Sequence, residues 1–139
     1  MNVIDTNIWL YAHDTRDAQK QRFAQSVIAQ TQALVLPWQV GCEFIAASRK
    51  LAPLGFDETL AWKALEQMEA MASIVLMPDP QLWRDVPSLQ TTHSLSFWDA
   101  LLVAACHSGG VDTLYTEDMG SPRSIEGLAL VNPFLTAPS

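Results

Sequence analysis

Four carboxylates stand where a chain of short strands and helices would bring acids together. Asp5 directly follows the apolar pair Val3-Ile4, with Thr6 and Asn7 behind it, and Asp118 lies two residues beyond a short apolar run at Thr113–Tyr115. Asp99 falls three residues after Ser96, and Glu43 sits between apolar neighbours. Acids gathered at one edge make an oxygen-rich pocket of the kind Mg²⁺ or Mn²⁺ selects, too negative to persist without cations. Such a pocket hydrolyses phosphodiesters by activating water and stabilising in-line attack, often with two ions roughly 3.5–4 Å apart. It requires neither a histidine nor a serine nucleophile.

Each acid also has a plainer explanation. Asp5 and Asp118 suit helix caps or turns, the commonest work of Asp in loops. Asp99 sits in the first turn of an apolar segment, Phe97 to Ala105, where Ser96-x-x-Asp99 matches the capping pattern and the helix dipole favours a negative charge. A helix apolar all round is buried, however, and an ionised group there needs a cation or several donors. Glu43 has Gln39 and Ala47 at i−4 and i+4, so no helical ion pair accounts for it, although a solvated glutamate is the default.

Competing chemistries find little support. His13, His93 and His107 lack zinc-type spacing and suit surface or capping positions, with His107 placed to complement a helix dipole. Neither a serine nucleophile elbow nor a glycine-rich phosphate loop occurs. Cys42 and Cys106 lie in apolar stretches without metal or disulfide spacing and read as buried, reduced thiols. With no basic and apolar leader at the N-terminus and no apolar run longer than Ala100–Cys106, the expected location is the cytoplasm, away from membranes.

The elements that must position these acids follow from the pattern. Strands are expected at Met1–Asp5, Leu34–Leu36, Ile74–Met77, Thr113–Thr116 and Leu128–Val131. Helices are expected at Gln19–Gln32, at Trp38–Leu51 up to Pro53, at Asp57–Ala72, at Gln81–Thr92 with Pro87 kinking or dividing it, and from Ser96 to Gly109-Gly110. This alternation implies an α/β fold with a mostly parallel sheet of about five short strands, whose ligands gather beyond the strand C-termini. The tail after Phe134, with Pro138 near its end, carries no pattern.

The chain has 139 residues, 49% hydrophobic and 17% charged, which suits one domain with a substantial core and excludes a disordered chain. A formal charge of −7 speaks against polyanionic partners, unless divalent ions offset clustered acids. The apolar excess is compatible with an interface.

Three segments carry a family likeness: Val3-Ile4-Asp5-Thr6-Asn7-Ile8-Trp9-Leu10-Tyr11-Ala12, Ser96-Phe97-Trp98-Asp99 continuing to Ala105, and Leu114-Tyr115-Thr116-Glu117-Asp118-Met119. In order and spacing the chain resembles the PIN-domain nucleases, particularly the small VapC-type toxins of bacterial toxin–antitoxin pairs. The resemblance implies a three-layer α/β/α sandwich formed by a single domain over 1–139. It further implies a Mg²⁺- or Mn²⁺-dependent endoribonuclease that leaves 3′-hydroxyl and 5′-phosphate ends. Asp5, Glu43, Asp99 and Asp118 would be the catalytic, metal-binding acids, Asn7 and Thr116 polar supports, and Glu117 the nearest competitor to Asp118. A small antitoxin and a homodimer or toxin–antitoxin hetero-oligomer would follow as partners.

Two basic groups, Arg16/Lys20/Arg22 and Arg49/Lys50, are candidates for holding RNA phosphates, with Arg16 and Lys20 expected on one helix face. Trp9, Trp38 and Trp98 are candidates for base stacking, with core packing as the preferred role. Alternatives are a PIN nuclease of RNA maturation without an antitoxin, a phosphohydrolase of small phosphates, and a catalytically silent interaction domain whose acids are only caps.

Overall fold

The computed structural model describes residues 1–136, so Pro138 and its immediate neighbours lie outside the described residues. The elements run β1 (Asn2–Ile4), α1 (Thr6–Tyr11), α2 (Ala18–Gln30), β2 (Leu36–Pro37), α3 (Trp38–Ala47), α4 (Glu58–Met71), β3 (Val75–Leu76), α5 (Gln81–His93), α6 (Phe97–Ser108), β4 (Thr113–Tyr115), β5 (Arg123–Ile125) and β6 (Leu128–Val131). The central sheet has the order β1-β4-β6-β5, parallel except where β5 meets β6. The parallel pair β2-β3 extends it through a bridge between Asn2 and Leu34, with the Val35 N–H donating to the Asn2 carbonyl at 2.9 Å.

All five expected strands form. Successive residues of a strand point to opposite faces, and Val3 and Ile4 are both buried, so the sheet is covered on both sides. One group of helices packs α1 against α2 and α3 with α4 behind α3, and the other pairs α5 with α6. This is the expected α/β/α sandwich. Its core joins Ile8, Phe44, Val103, Leu114, Ile125 and Leu130, all essentially inaccessible.

Several local expectations change. The short helix α1 and the strand β5 were not anticipated. Asp5 caps α1, and β5 returns to β6 through a two-residue turn at Glu126 (φ 49°) and Gly127 (φ 88°), the left-handed geometry of a tight hairpin. The helix through Glu43 ends at Ala47 rather than Leu51. There Ser48 Oγ donates to the Ile45 carbonyl at 2.8 Å and the chain tightens into a 3-10 turn, Ser48–Leu54, that contains Pro53. Pro87 does not divide α5. It lies on the exposed side, where water can serve the Trp83 carbonyl that has no helical donor.

Candidate active site

Parallel pairing of β1 with β4 sets Ile4 opposite Tyr115, so the next residues, Asp5 and Thr116, leave the same sheet edge side by side. The Asp5 N–H donates to the Tyr115 carbonyl at 2.9 Å. Asp5 Oδ1 accepts from the Thr6 N–H at 2.7 Å and Oδ2 from Thr116 Oγ1 at 2.8 Å. The same fully buried Thr116 hydroxyl accepts from the Asp118 N–H at 3.0 Å, so one oxygen links two acids. Asn7 Nδ2 donates to Asp118 Oδ2 at 3.0 Å. The plain roles of Asp5 as a cap and Asp118 as a turn residue are both realised, since the Asp118 carbonyl accepts from the Ser121 N–H at 3.1 Å. Neither role takes the carboxylate away from this edge.

The other two acids arrive on helices. Ser96 caps α6 by accepting the Asp99 N–H at 3.2 Å. Gln39 Nε2, in the first turn of α3, donates to the Trp98 carbonyl at 2.9 Å and ties the two helix starts together. That brings Glu43, one turn beyond Gln39, within electrostatic reach of Asp99, whose charge raises the Glu43 carboxyl. Glu117 has other bonded partners, although its charge also acts on Asp118: it accepts from the Tyr11 hydroxyl and pairs with Lys20 Nζ at 3.4 Å.

Burial is the main cause of a raised Asp5 carboxyl, at about 6, with further contributions from the charges of Glu43 and Asp118. Burial also raises Glu43 and Asp118, helped by Asp99 in both cases and by Glu117 for Asp118. The charges of Glu43 and Asp118 thus act on Asp5, and that of Asp99 acts on Glu43 and Asp118. Among the described residues, no Lys or Arg forms an ion pair with any of the four.

The donor set fits a hard divalent cation. Every charged candidate is a carboxylate, and two further oxygens, Thr6 Oγ1 beside Asp5 and Gln39 Oε1 one turn from Glu43, are buried without a hydrogen-bond partner among the described residues. No three His, Cys, Asp or Glu side chains among the described residues form a ready-made metal cluster. Mg²⁺ does not need one, because it retains several waters and binds through one or two carboxylates.

Beside Glu43 opens an apolar hollow of about 510 Å³ between α3, β3, α5 and α6, lined by Trp38, Cys42, Leu82 and Trp98 among others. A second, of about 420 Å³, lies across α3 and is lined by Trp38, Trp62, Leu65 and Met77. The tryptophans divide accordingly. Trp9 is core, its indole donating to the Ile4 carbonyl at 3.0 Å, whereas Trp38 and Trp98 are 51% and 61% exposed because they occupy first turns at helix starts. Cys42 is likewise exposed, contrary to expectation, while Cys106 is buried.

The basic candidates separate too. Arg16 is not on a helix face with Lys20: α2 starts behind the Asp17 cap, and Arg16 precedes it, forming a fork to Asp14 with bonds of 2.9 and 2.7 Å. Lys20 Nζ is engaged with Glu117 and lies 4.1 Å from the centroid of the Tyr11 ring. Arg22, Arg49 and Lys50 are exposed. Of the histidines, His107 bonds the Ile125 carbonyl and His93 contacts Glu126, but His13 is half-buried and stacked on Phe56 at 4.3 Å. Tyr11 and Gln39 carry contacts with little signal in the sequence. Gln39 stands at i−4 from Glu43, a local signal, but Tyr11 and Glu117 are 106 residues apart.

Comparison with known proteins agrees with this fold. Solved structures of similar fold include the toxin VapC20 of Mycobacterium tuberculosis, described as cleaving the sarcin–ricin loop (17% identity, TM-score 0.67, 86% of this chain and 92% of that chain). Others are a toxin–antitoxin complex from Klebsiella pneumoniae (19%, TM-score 0.69, 96% and 98%) and VapBC2 of Rickettsia felis bound to a promoter DNA fragment (15%, TM-score 0.63, 93% and 96%). No curated protein matches the chain in sequence. The family model for the PIN domain matches residues 3–123, so the chain, whose acids collect where β1 and β4 end, belongs to the PIN domain family.

Proposed function

We propose that this chain, acting as one domain over 1–139, is a divalent-metal-dependent endoribonuclease and the toxin of a toxin–antitoxin pair. One observation carries the reading: the carboxylates of Asp5, Glu43, Asp99 and Asp118 come within electrostatic reach of one another, the first three partly buried, and among the described residues none is ion-paired with a lysine or arginine. Asp5, Glu43, Asp99 and Asp118 would hold Mg²⁺, or Mn²⁺ in its place, directly or through its retained waters, and the ion when bound supplies Lewis-acid stabilisation of the phosphate and a more acidic water. The chain supplies orientation. Thr116 and the Thr6 N–H fix the rotamer of Asp5, Asn7 fixes that of Asp118, and the Ser96 cap sets the first turn that carries Asp99.

Arg22, Arg49 and Lys50 are the basic side chains proposed to meet RNA phosphates directly. Arg16 and Lys20 would do so by exchanging their carboxylate partners. An antitoxin is proposed because neighbours of the same fold are toxin–antitoxin complexes and because two apolar hollows flank α3. Homodimerisation through the remaining apolar surface belongs to the same proposal. No helix among the described residues is long and apolar enough to cross a membrane, and a cytoplasmic site of action is part of the proposal.

The test is cleavage of total RNA by partner-free protein and its Asp99→Asn variant with Mg²⁺, Mn²⁺ or EDTA. Discrete 5′-phosphate fragments that require both the ion and Asp99 are expected. A folded protein that neither cleaves RNA nor is stabilised by either ion would instead be a silent interaction domain.

A further inference from the structure

Glu117 and Asp118 are adjacent acids in one loop, and α1 grips both. Asn7 and Tyr11 are four residues apart and therefore lie on one side of this helix. Asn7 Nδ2 donates to Asp118 Oδ2 at 3.0 Å, and the Tyr11 hydroxyl donates to Glu117 Oε1. Two donors one helical turn apart thus hold two consecutive loop residues. Asp5, the cap of the same helix, is linked to the loop through Thr116. Rotating the loop so that Glu117 replaces Asp118 would break both clamps.

The Tyr11 end is built rather than incidental. Lys20 Nζ reaches Glu117 Oε2 at 3.4 Å and lies 4.1 Å from the Tyr11 ring centroid and 5.0 Å from that of Phe134. The Tyr11 and Phe134 rings meet edge to face at 5.6 Å. The phenol therefore contacts Glu117 with its hydroxyl, Lys20 with its face and Phe134 in a T-shaped pair. A cation and the Phe134 ring fix the side chain, and its one polar atom addresses Glu117.

We propose that Tyr11 is a positioning residue that, by engaging Glu117 together with Lys20, leaves Asp118 as the loop acid presented to Asp5, Glu43 and Asp99. This rests on the nuclease reading above. Glu117 is then an anchor rather than a fourth ligand, and Tyr11 acts on the reaction only through the loop.

The test uses Tyr11→Phe, Glu117→Gln, the double variant and Asp118→Asn, each compared with wild type in RNA-cleavage kinetics and in calorimetric Mn²⁺ binding without RNA. Tyr11→Phe keeps the ring, and with it the Lys20 and Phe134 contacts, and removes only the donor. It should lower kcat about tenfold with KM within about twofold, and weaken Mn²⁺ binding several-fold. Glu117→Gln retains an oxygen for the Tyr11 hydroxyl and should lose only several-fold, against a loss of about 100-fold or more in Asp118→Asn. The double variant should be no worse than Tyr11→Phe by more than about twofold, because both changes act on one and the same link. A Tyr11→Phe enzyme with wild-type kcat and Mn²⁺ affinity overturns the proposal. So does a Glu117→Gln enzyme as impaired as Asp118→Asn, which would make Glu117 the ligand. If wild-type protein cleaves no RNA, the nuclease reading fails by itself, and the Mn²⁺ affinities decide this inference: equal values for wild type and Tyr11→Phe overturn it.

Discussion

Asp5 and Thr116 are 111 residues apart in sequence, yet the threonine hydroxyl donates to the aspartate carboxylate at 2.8 Å while accepting the Asp118 N–H at 3.0 Å. The parallel register of β1 on β4 makes this contact, and one buried hydroxyl thereby coordinates two strand ends. Thr116→Val preserves shape and removes both bonds, leaving buried polar groups unmatched. A stability loss of about 1–3 kcal/mol is expected, with RNA cleavage at least about tenfold slower. Thr116→Ser should recover most of the cleavage, and denaturant titration alongside kinetics checks both effects.

Asp5 makes the metal-free protein less stable at neutral pH. Its folded carboxyl, at about 6, binds a proton more readily than the unfolded one at 3.8. Stability from this group is therefore greatest below about 4 and declines as pH rises through about 6. Asp5→Asn cannot ionise and should be more stable than wild type at pH 7.5 in EDTA, by about 1–3 kcal/mol. The advantage should shrink towards pH 4. Urea midpoints at several pH values measure it, and an Asn variant less stable than wild type throughout would show that the carboxylate is compensated within the protein.

A divalent ion should reverse that penalty. Mn²⁺ at about 100 times its dissociation constant should stabilise wild type by about 3 kcal/mol, with EDTA removing the gain. Asp5→Asn and Asp118→Asn should show a smaller rise in Tm, whereas a substitution on the far side of the sheet should show the full one.

Ser96 stands between helix stability and the site. Ser96→Ala removes the 3.2 Å bond to the Asp99 N–H and should destabilise the protein by about 1 kcal/mol. Because that turn carries Asp99, cleavage should slow more than the stability loss explains, whereas Ser96→Asp, which also caps, should retain stability.

His13 titrates in the opposite sense to Asp5. Burial lowers its pKa below 6.5, so the unfolded chain binds the proton first. Stability from this residue is present above about 6.5 and is lost as pH falls through the folded value. His13→Phe keeps a ring against Phe56 and should lose less stability than wild type between pH 7 and 5, as followed by thermal melts.

Local sequence was sufficient wherever a short-range rule operates. Strand apolarity marked all five parallel strands, the Ser96 pattern marked the start of α6, and acids after β1 and β4 marked the sheet edge, because each signal lies within a few residues of its consequence. Local cues went astray at Pro53 and Pro87, whose effects depend on a competing side-chain bond and on which side of the helix meets solvent. They also missed β5, whose turn pairs glutamate with Gly127 instead of the usual asparagine.

Tertiary structure alone decided the contacts that distinguish one acid from its neighbour. No spacing rule relates Tyr11 to Glu117 or Asn7 to Asp118, since the first member of each pair is on α1 and the second beyond β4. Nor does composition disclose that Trp9 is core while Trp38 and Trp98 are open, since exposure depends on what packs over a helix start. Residue types determined that carboxylate chemistry was available. Strand register and helix docking determined which carboxylates come within electrostatic reach of one another, because that depends on distances across the fold.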